Sequence, residues 1–141
     1  RFIRPPRCNN KGPWSGSFSF LGFTHYWGRS RKGRPAVKRK TEKGRLRNSL
    51  RRLNQWLRRV MHRPVKWQHR MLNAKVRGHY AYFGITGNGR ALQLFIAQVE
   101  RLWRKWLDRR SWRTRMNWDK FKRLLARYPL PNPRVVHSAY R

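Results

Sequence analysis

The spacing of apolar positions changes period once along the chain, and that change divides it. Residues 17–27 (SFSFLGFTHYW) run aromatic and small with no Lys, Arg, Asp or Glu, a pattern that suits a strand. Residues 28–33 (GRSRKG) read as a turn and residues 34–39 (RPAVKR) as a return strand, with Pro35 at its edge or start. Together they predict a β-hairpin. Residues 1–16, rich in Pro, Gly, Asn and Arg, read as loop or linker.

From Thr41 onward the period is helical. Leu46, Leu50, Leu53, Leu57 and Val60 make one stripe, with Arg45, Arg47, Arg51, Arg52, Arg58 and Arg59 on the other side. Pro64 ends that helix and opens a second at its first turn. There Val65, Leu72, Val76, Tyr80 and Phe83 share a face. Residues 84–89 (GITGNG) break the pattern. A third helix from Arg90 aligns Leu92, Phe95, Ile96, Val99, Trp103 and Trp106, with Arg101, Arg104 and Lys105 turned away. After a basic connector, residues 109–116, Asn117 is an N-cap candidate with Asp119 favourable in the first turn. Trp118, Phe121, Leu125 and Tyr128 line a short fourth helix. Pro129, Pro131 and Pro133 end it, and the tail is expected to fray.

The predicted fold class is therefore mainly α: an N-terminal β-hairpin followed by a three- to four-helix bundle. Residues 1–40 are linker and hairpin, 41–110 a helical domain, and 111–141 a basic C-terminal helix and tail. Each apolar stripe is too narrow for a helix buried all round, so the helices must pack on one another and leave basic faces exposed.

Charge changes the picture most. The chain has 37 Lys+Arg against 4 Asp+Glu, a formal net charge of +33 in 141 residues. A solvated face normally mixes signs. Here self-repulsion opposes compaction, and a polyanion is the partner that relieves it. The 20 aromatic residues (8 Trp, 7 Phe, 5 Tyr) argue against a disordered basic tail. Arginine outnumbers lysine in the helices and gives bidentate phosphate contacts.

Chemistry is sparse. Two-metal phosphoryl transfer needs clustered carboxylates, and Glu42, Glu100, Asp108 and Asp119 lie on separate segments beside Lys or Arg. They read as local ion pairs and helix-dipole complements, Glu100 with Arg104 for example. No catalytic residue is assigned, and the chain alone is not read as an enzyme. The single cysteine, Cys8, excludes a Cys-based zinc finger. His25, His62, His69, His79 and His137 have no metal-ligand spacing, so no metal and no cofactor are expected. Residues 84–89 lack the G-K-[ST] ending of a phosphate loop; their main reading is a helix joint, and a phosphate at their amides beside Arg90 is the weaker one. Trp103 and Trp106 read as core, Trp56 and Trp67 stand at stripe edges, and base stacking on Trp112 stays open. No membrane span or leader is visible, the expected compartment is the cytoplasm, and the first residues read like the middle of a longer protein.

Several strings resemble one family, the bacterial group II intron reverse transcriptases. Residues 18–28 (FSFLGFTHYWG) resemble their last reverse-transcriptase block, and residues 37–41 (VKRKT) the start of their thumb. Leu72-x-x-x-Val76 followed by residues 77–88 (RGHYAYFGITGN) resembles the maturase-specific thumb domain, and residues 103–107 and 124–137 its C-terminal end. The resemblance covers nearly the whole chain. It implies a thumb that holds intron RNA during splicing and, in a complete protein, grips an RNA or RNA–DNA duplex during copying. It implies that Phe20, Leu21, Gly22 and Phe23 form a primer grip at the end of the palm. The palm's Tyr-x-Asp-Asp motif is absent from this chain, so a separately encoded palm is one partner the resemblance implies.

The charge and this resemblance together assign RNA contacts to Lys38, Arg39, Lys40, Arg45, Arg47, Arg51, Arg52, Arg58, Arg59, Arg77, Arg90, Arg104 and Lys105. Arg77 is expected on RNA, whereas Gly78 and Tyr80 are expected in packing. The alternatives are one piece of a split RNA-directed DNA polymerase, and a non-specific basic protein that binds RNA or anionic membranes.

Overall fold

The computed structural model describes residues 17–138. The linker reading of residues 1–16, Cys8 with it, and the last three residues lie outside the described part. The order is β1 (Ser17–Phe20), β2 (Phe23–Arg29), β3 (Pro35–Thr41), α1 (Lys43–Val60), α2 (Val65–Phe83), α3 (Gly89–Arg109) and α4 (Trp118–Arg127). The class is the expected one, mainly helical with β structure first.

The expected hairpin is present as β2 and β3, and the sheet has one strand more than the spacing predicts. The stretch read as one strand is broken at Leu21-Gly22, and the sheet has three antiparallel strands in the order β1-β2-β3. Phe20 pairs with Phe23 across a two-residue loop. Leu21 has φ 52° and Gly22 φ 82°, the two positive values that a type I′ hairpin turn requires. Asn-Gly would announce such a turn, and Leu-Gly hides it in an apolar run. A leucine in this region carries roughly 1–2 kcal/mol of strain, so other contacts must hold it. Two do: the Tyr82 hydroxyl donates to Leu21 O at 2.7 Å, and Glu42 N donates to Gly22 O at 3.0 Å. Pro35 opens β3 on the sheet edge, as its missing N–H demands.

The helical stripes are the core. Leu53 and Leu57 of α1, Leu72, Val76, Tyr80 and Phe83 of α2, Leu92, Phe95, Val99, Trp103, Trp106 and Leu107 of α3, and Phe121 of α4 form one buried cluster. Phe23 is the sheet's contribution, its ring 5.3 Å from that of Phe83. Asn117 caps α4 as expected, accepting from Lys120 N at 2.9 Å. Glu100 and Arg104 do not form the ion pair their spacing suggests: Arg104 donates instead to Met116 O at 3.0 Å.

Two buried amides lock the elements together. The Gln68 amide donates to Val60 O, Met61 O and Arg63 O at 2.8–3.1 Å, so it finishes α1, while its oxygen accepts from Trp103 Nε1 at 3.0 Å. Asn88 accepts from Thr41 N and donates to Thr41 Oγ1 and Phe83 O, each at 2.8 Å. It thereby fixes the end of β3 against the end of α2. Trp106 Nε1 donates to Asn54 Oδ1 at 2.8 Å. Both core indoles are thus satisfied, as burial requires.

The described tail does not fray. Past α4 the chain runs as an extended strap along α2. Pro131 O accepts from the Tyr80 hydroxyl at 2.9 Å, and Pro129 O meets His69 Nε2 at 2.7 Å. Val136 N donates to Gly84 O at 2.7 Å, and Ile85 bridges His137 in parallel. The prolines that stop α4 leave carbonyls free to accept from α2. Gly84 is required here, because a Cβ would lie 3.0 Å from Arg134 O and closer still to Tyr80 O.

Candidate nucleic-acid interface

At about 100° per residue, the α1 arginines fall on two rails rather than one opposite face. Arg45, Arg52 and Arg59 lie seven residues apart on one flank of the leucine stripe, and Arg47, Arg51 and Arg58 lie on the other. All six are exposed. Arg45 and Arg52 of the first rail border α2.

Between α1 and α2 lies a groove. A cavity of about 300 Å³ is lined by Leu21, Gly22, Arg45, Asn48, Ser49, Arg52, Tyr82 and Phe83. A second, of about 320 Å³, shares Ser49, Arg52, Tyr82 and Phe83 with it and adds Lys75, Gly78 and His79. The hairpin turn thus stands at one end of a cationic trough with Gly78 at the other. Leu21 and Phe20 are 65% and 60% exposed, while Gly22 and Phe23 face inward. Of the apolar hairpin residues Phe18, Phe20, Leu21 and Phe23, Phe23 alone enters the core.

Gly78 is also corrected. It packs against nothing: a Cβ there meets no heavy atom within 4 Å. A mid-helix glycine costs about 1 kcal/mol relative to alanine, and no neighbour in the fold accounts for it. Tyr80 is buried as expected. Its burial, with the charge of Glu100 second, pushes the phenol up to about 12, so it stays a donor to Pro131 O. Burial holds the His79 imidazole down at about 4, so it stays neutral near pH 7, stacked 3.6 Å from Phe95.

The remaining assigned cations scatter. Lys38 and Lys40 share one face of β3, Arg39 the other, and Lys40 Nζ lies 5.1 Å over the Tyr26 ring. Arg58 and Arg59 sit in the last turn of α1, about 20 Å of helix from Arg45. Arg77 is exposed but on the strap side of α2, lining a cavity with Arg134. Arg90 is exposed at the start of α3. Arg104 and Lys105 are half-buried; the Arg104 guanidinium lies 4.6 Å over Trp118 and Lys105 Nζ 4.9 Å over Trp106. Those two read as structural.

The phosphate reading of the α2–α3 joint is overturned for most of its amides. Gly84, Ile85, Thr86 and Asn88 donate to Tyr80 O, Phe83 O, His137 O and Ile85 O. Sequence reasoning also missed Asn48, Ser49, Lys75 and Tyr82. Tyr82 had a signal: two residues from Tyr80, it must point well away from the core that takes Tyr80.

Among the described residues no group of His, Cys, Asp and Glu is placed to hold a metal ion, and no helix is long and apolar enough to cross a membrane. The chain matches no family model, no curated protein and no solved structure.

Proposed function

We propose that the chain is an RNA-binding thumb domain of the group II intron maturase kind, one that helps intron RNA fold and splice and would grip template and primer in a complete polymerase. The observation that carries this reading is the groove: a strained, exposed turn held beside Arg45 and Arg52 and leading to an open Gly78. Duplex RNA is recognised through backbone shape, phosphates and 2′-hydroxyls. A trough with arginines on its wall and hydroxyls of Ser49 and Tyr82 within it suits that surface. Filter binding to structured RNA across a salt series tests it. With about six phosphates neutralised, log affinity falls with log salt at a slope near −5; a flat series overturns the reading.

Gly78 gives a sharper version. Gly78→Leu is expected to raise folding stability by about 0.5–1 kcal/mol, from helix propensity in open space, and to weaken RNA binding about tenfold by filling the groove. Urea titration and filter binding measure the two. A stabilised variant with unchanged affinity removes the groove from the RNA site.

One observation favours a second reading, a piece of a split polymerase. Phe18, Phe20 and Leu21 on the outer hairpin are 43%, 60% and 65% exposed, an apolar edge that a palm subunit would cover. A monodisperse, cooperatively melting sample of the chain alone speaks against a missing cover.

A further inference from the structure

Among the described tryptophans, Trp112 stands furthest into solvent. Trp103 and Trp106 are buried, Trp56 and Trp67 lie against each other at 6.2 Å, and Trp118, 44% exposed, has the Arg104 guanidinium 4.6 Å over its ring. Trp112, in the connector between α3 and α4, is 83% exposed.

That connector is not slack. Asp108 Oδ1 accepts from Met116 N at 2.7 Å, and Arg104 Nη1 donates to Met116 O at 3.0 Å. Lys120 Nζ donates to Arg115 O at 3.1 Å, and Met116 packs on the core. The C-terminal foot of the loop is thus held by side chains of α3 and α4 bonded to its backbone. Asp108, the acid nearest the loop, is turned to its backbone. The outward side carries Arg109, Arg110, Arg113 and Arg115, all exposed. The Arg113 guanidinium lies 5.2 Å from the Trp112 centroid, yet the indole stays largely open.

We propose that Trp112 is a stacking platform for an unpaired base of RNA, with the flanking arginines on the adjoining phosphates. An indole stacks on any base, because every base has a π face. A base inside a duplex has no free face, so the partner is a loop, bulge or end. Amphipathic Trp also suits a membrane interface, but the loop from Arg110 to Arg115 offers no second apolar side chain beside Trp112. A lipid surface would have to be held by one indole, whereas a base needs only one. The inference rests on the RNA reading above but uses other elements than the groove.

The test compares the full chain with Trp112→Ala and Trp112→Phe by fluorescence anisotropy. The probes are a labelled RNA hairpin with a loop of unpaired adenosines, a blunt RNA duplex of equal length, and phosphatidylglycerol vesicles. Trp112→Ala is expected to lower hairpin affinity about tenfold, leave duplex affinity unchanged, and be largely rescued by Trp112→Phe. Thermal melts should not change, since the side chain is exposed. Equal losses on hairpin and duplex, no loss on either, or a loss confined to vesicles overturns the proposal. If the unaltered chain binds neither RNA, the RNA reading itself fails; if it binds both and Trp112→Ala changes nothing, only this inference does.

Discussion

Replacing Arg45 and Arg52 together by glutamate is expected to weaken RNA binding about 100-fold near 0.1 M salt. Each phosphate left without its arginine keeps about one condensed counterion, whose release is worth roughly 1.2 kcal/mol at that salt, and charge reversal adds repulsion. The slope of log affinity against log salt should shrink by about 2. Stability should hold within about 0.5 kcal/mol, because both side chains are exposed and relief of self-repulsion offsets the little packing they provide. Lys122→Glu with Arg123→Glu on α4 is the control, carrying the same change in net charge outside the groove. If the two pairs weaken binding equally, only overall charge attracts the RNA and the groove has no special part. Filter binding over a salt series decides between these outcomes.

The helical half is legible because each apolar stripe keeps one period long enough to be read. Leu53, Leu57, Leu72, Val76, Leu92, Val99 and Trp103 are all buried where the spacing places them. The misses share a cause: each depends on a partner distant in sequence. Gln68 breaks the apolar stripe of α2, and its reason lies at the end of α1 and on Trp103, 35 residues away. The strap reads as a loose tail because prolines suppress regular structure, yet their carbonyls meet Tyr80 and His69. Leu21 takes a positive φ that local propensity argues against, held by Tyr82 from 61 residues on. Gly78 is the reverse case. Local sequence favours packing there, and the fold leaves it open.

For the site, residue type is readable and grouping is not. Counting arginines on α1 finds all six, but which rail borders the groove depends on where α2 lies. Arg104 looks like its neighbours in sequence. Its guanidinium is tied to Met116 O and Trp118, which explains why so cationic a chain still holds a half-buried arginine: the carbonyl and the ring replace part of its hydration.

The largest effect on the fold should come from Trp103. It is fully buried, edge-on to Phe121, and among the described residues the side-chain donor bonded to the Gln68 oxygen. Trp103→Ala opens a cavity worth about 3–5 kcal/mol and leaves a buried amide oxygen unsatisfied for about 1–3 kcal/mol more. That sum approaches the whole stability of an ordinary domain, roughly 5–15 kcal/mol, and a chain of charge +33 begins with less to lose. The expected result is loss of a cooperative melt by circular dichroism at low salt. Trp103→Phe keeps most of the volume and removes the donor, so it should fold and lose about 2 kcal/mol. Gln68→Leu removes the partner but also strips the cap from Val60, Met61 and Arg63. Combined with Trp103→Phe it should cost less than the two singly added, by about 1 kcal/mol. Strict additivity in urea titrations would mean that the bond between α2 and α3 contributes nothing beyond the packing of its two side chains.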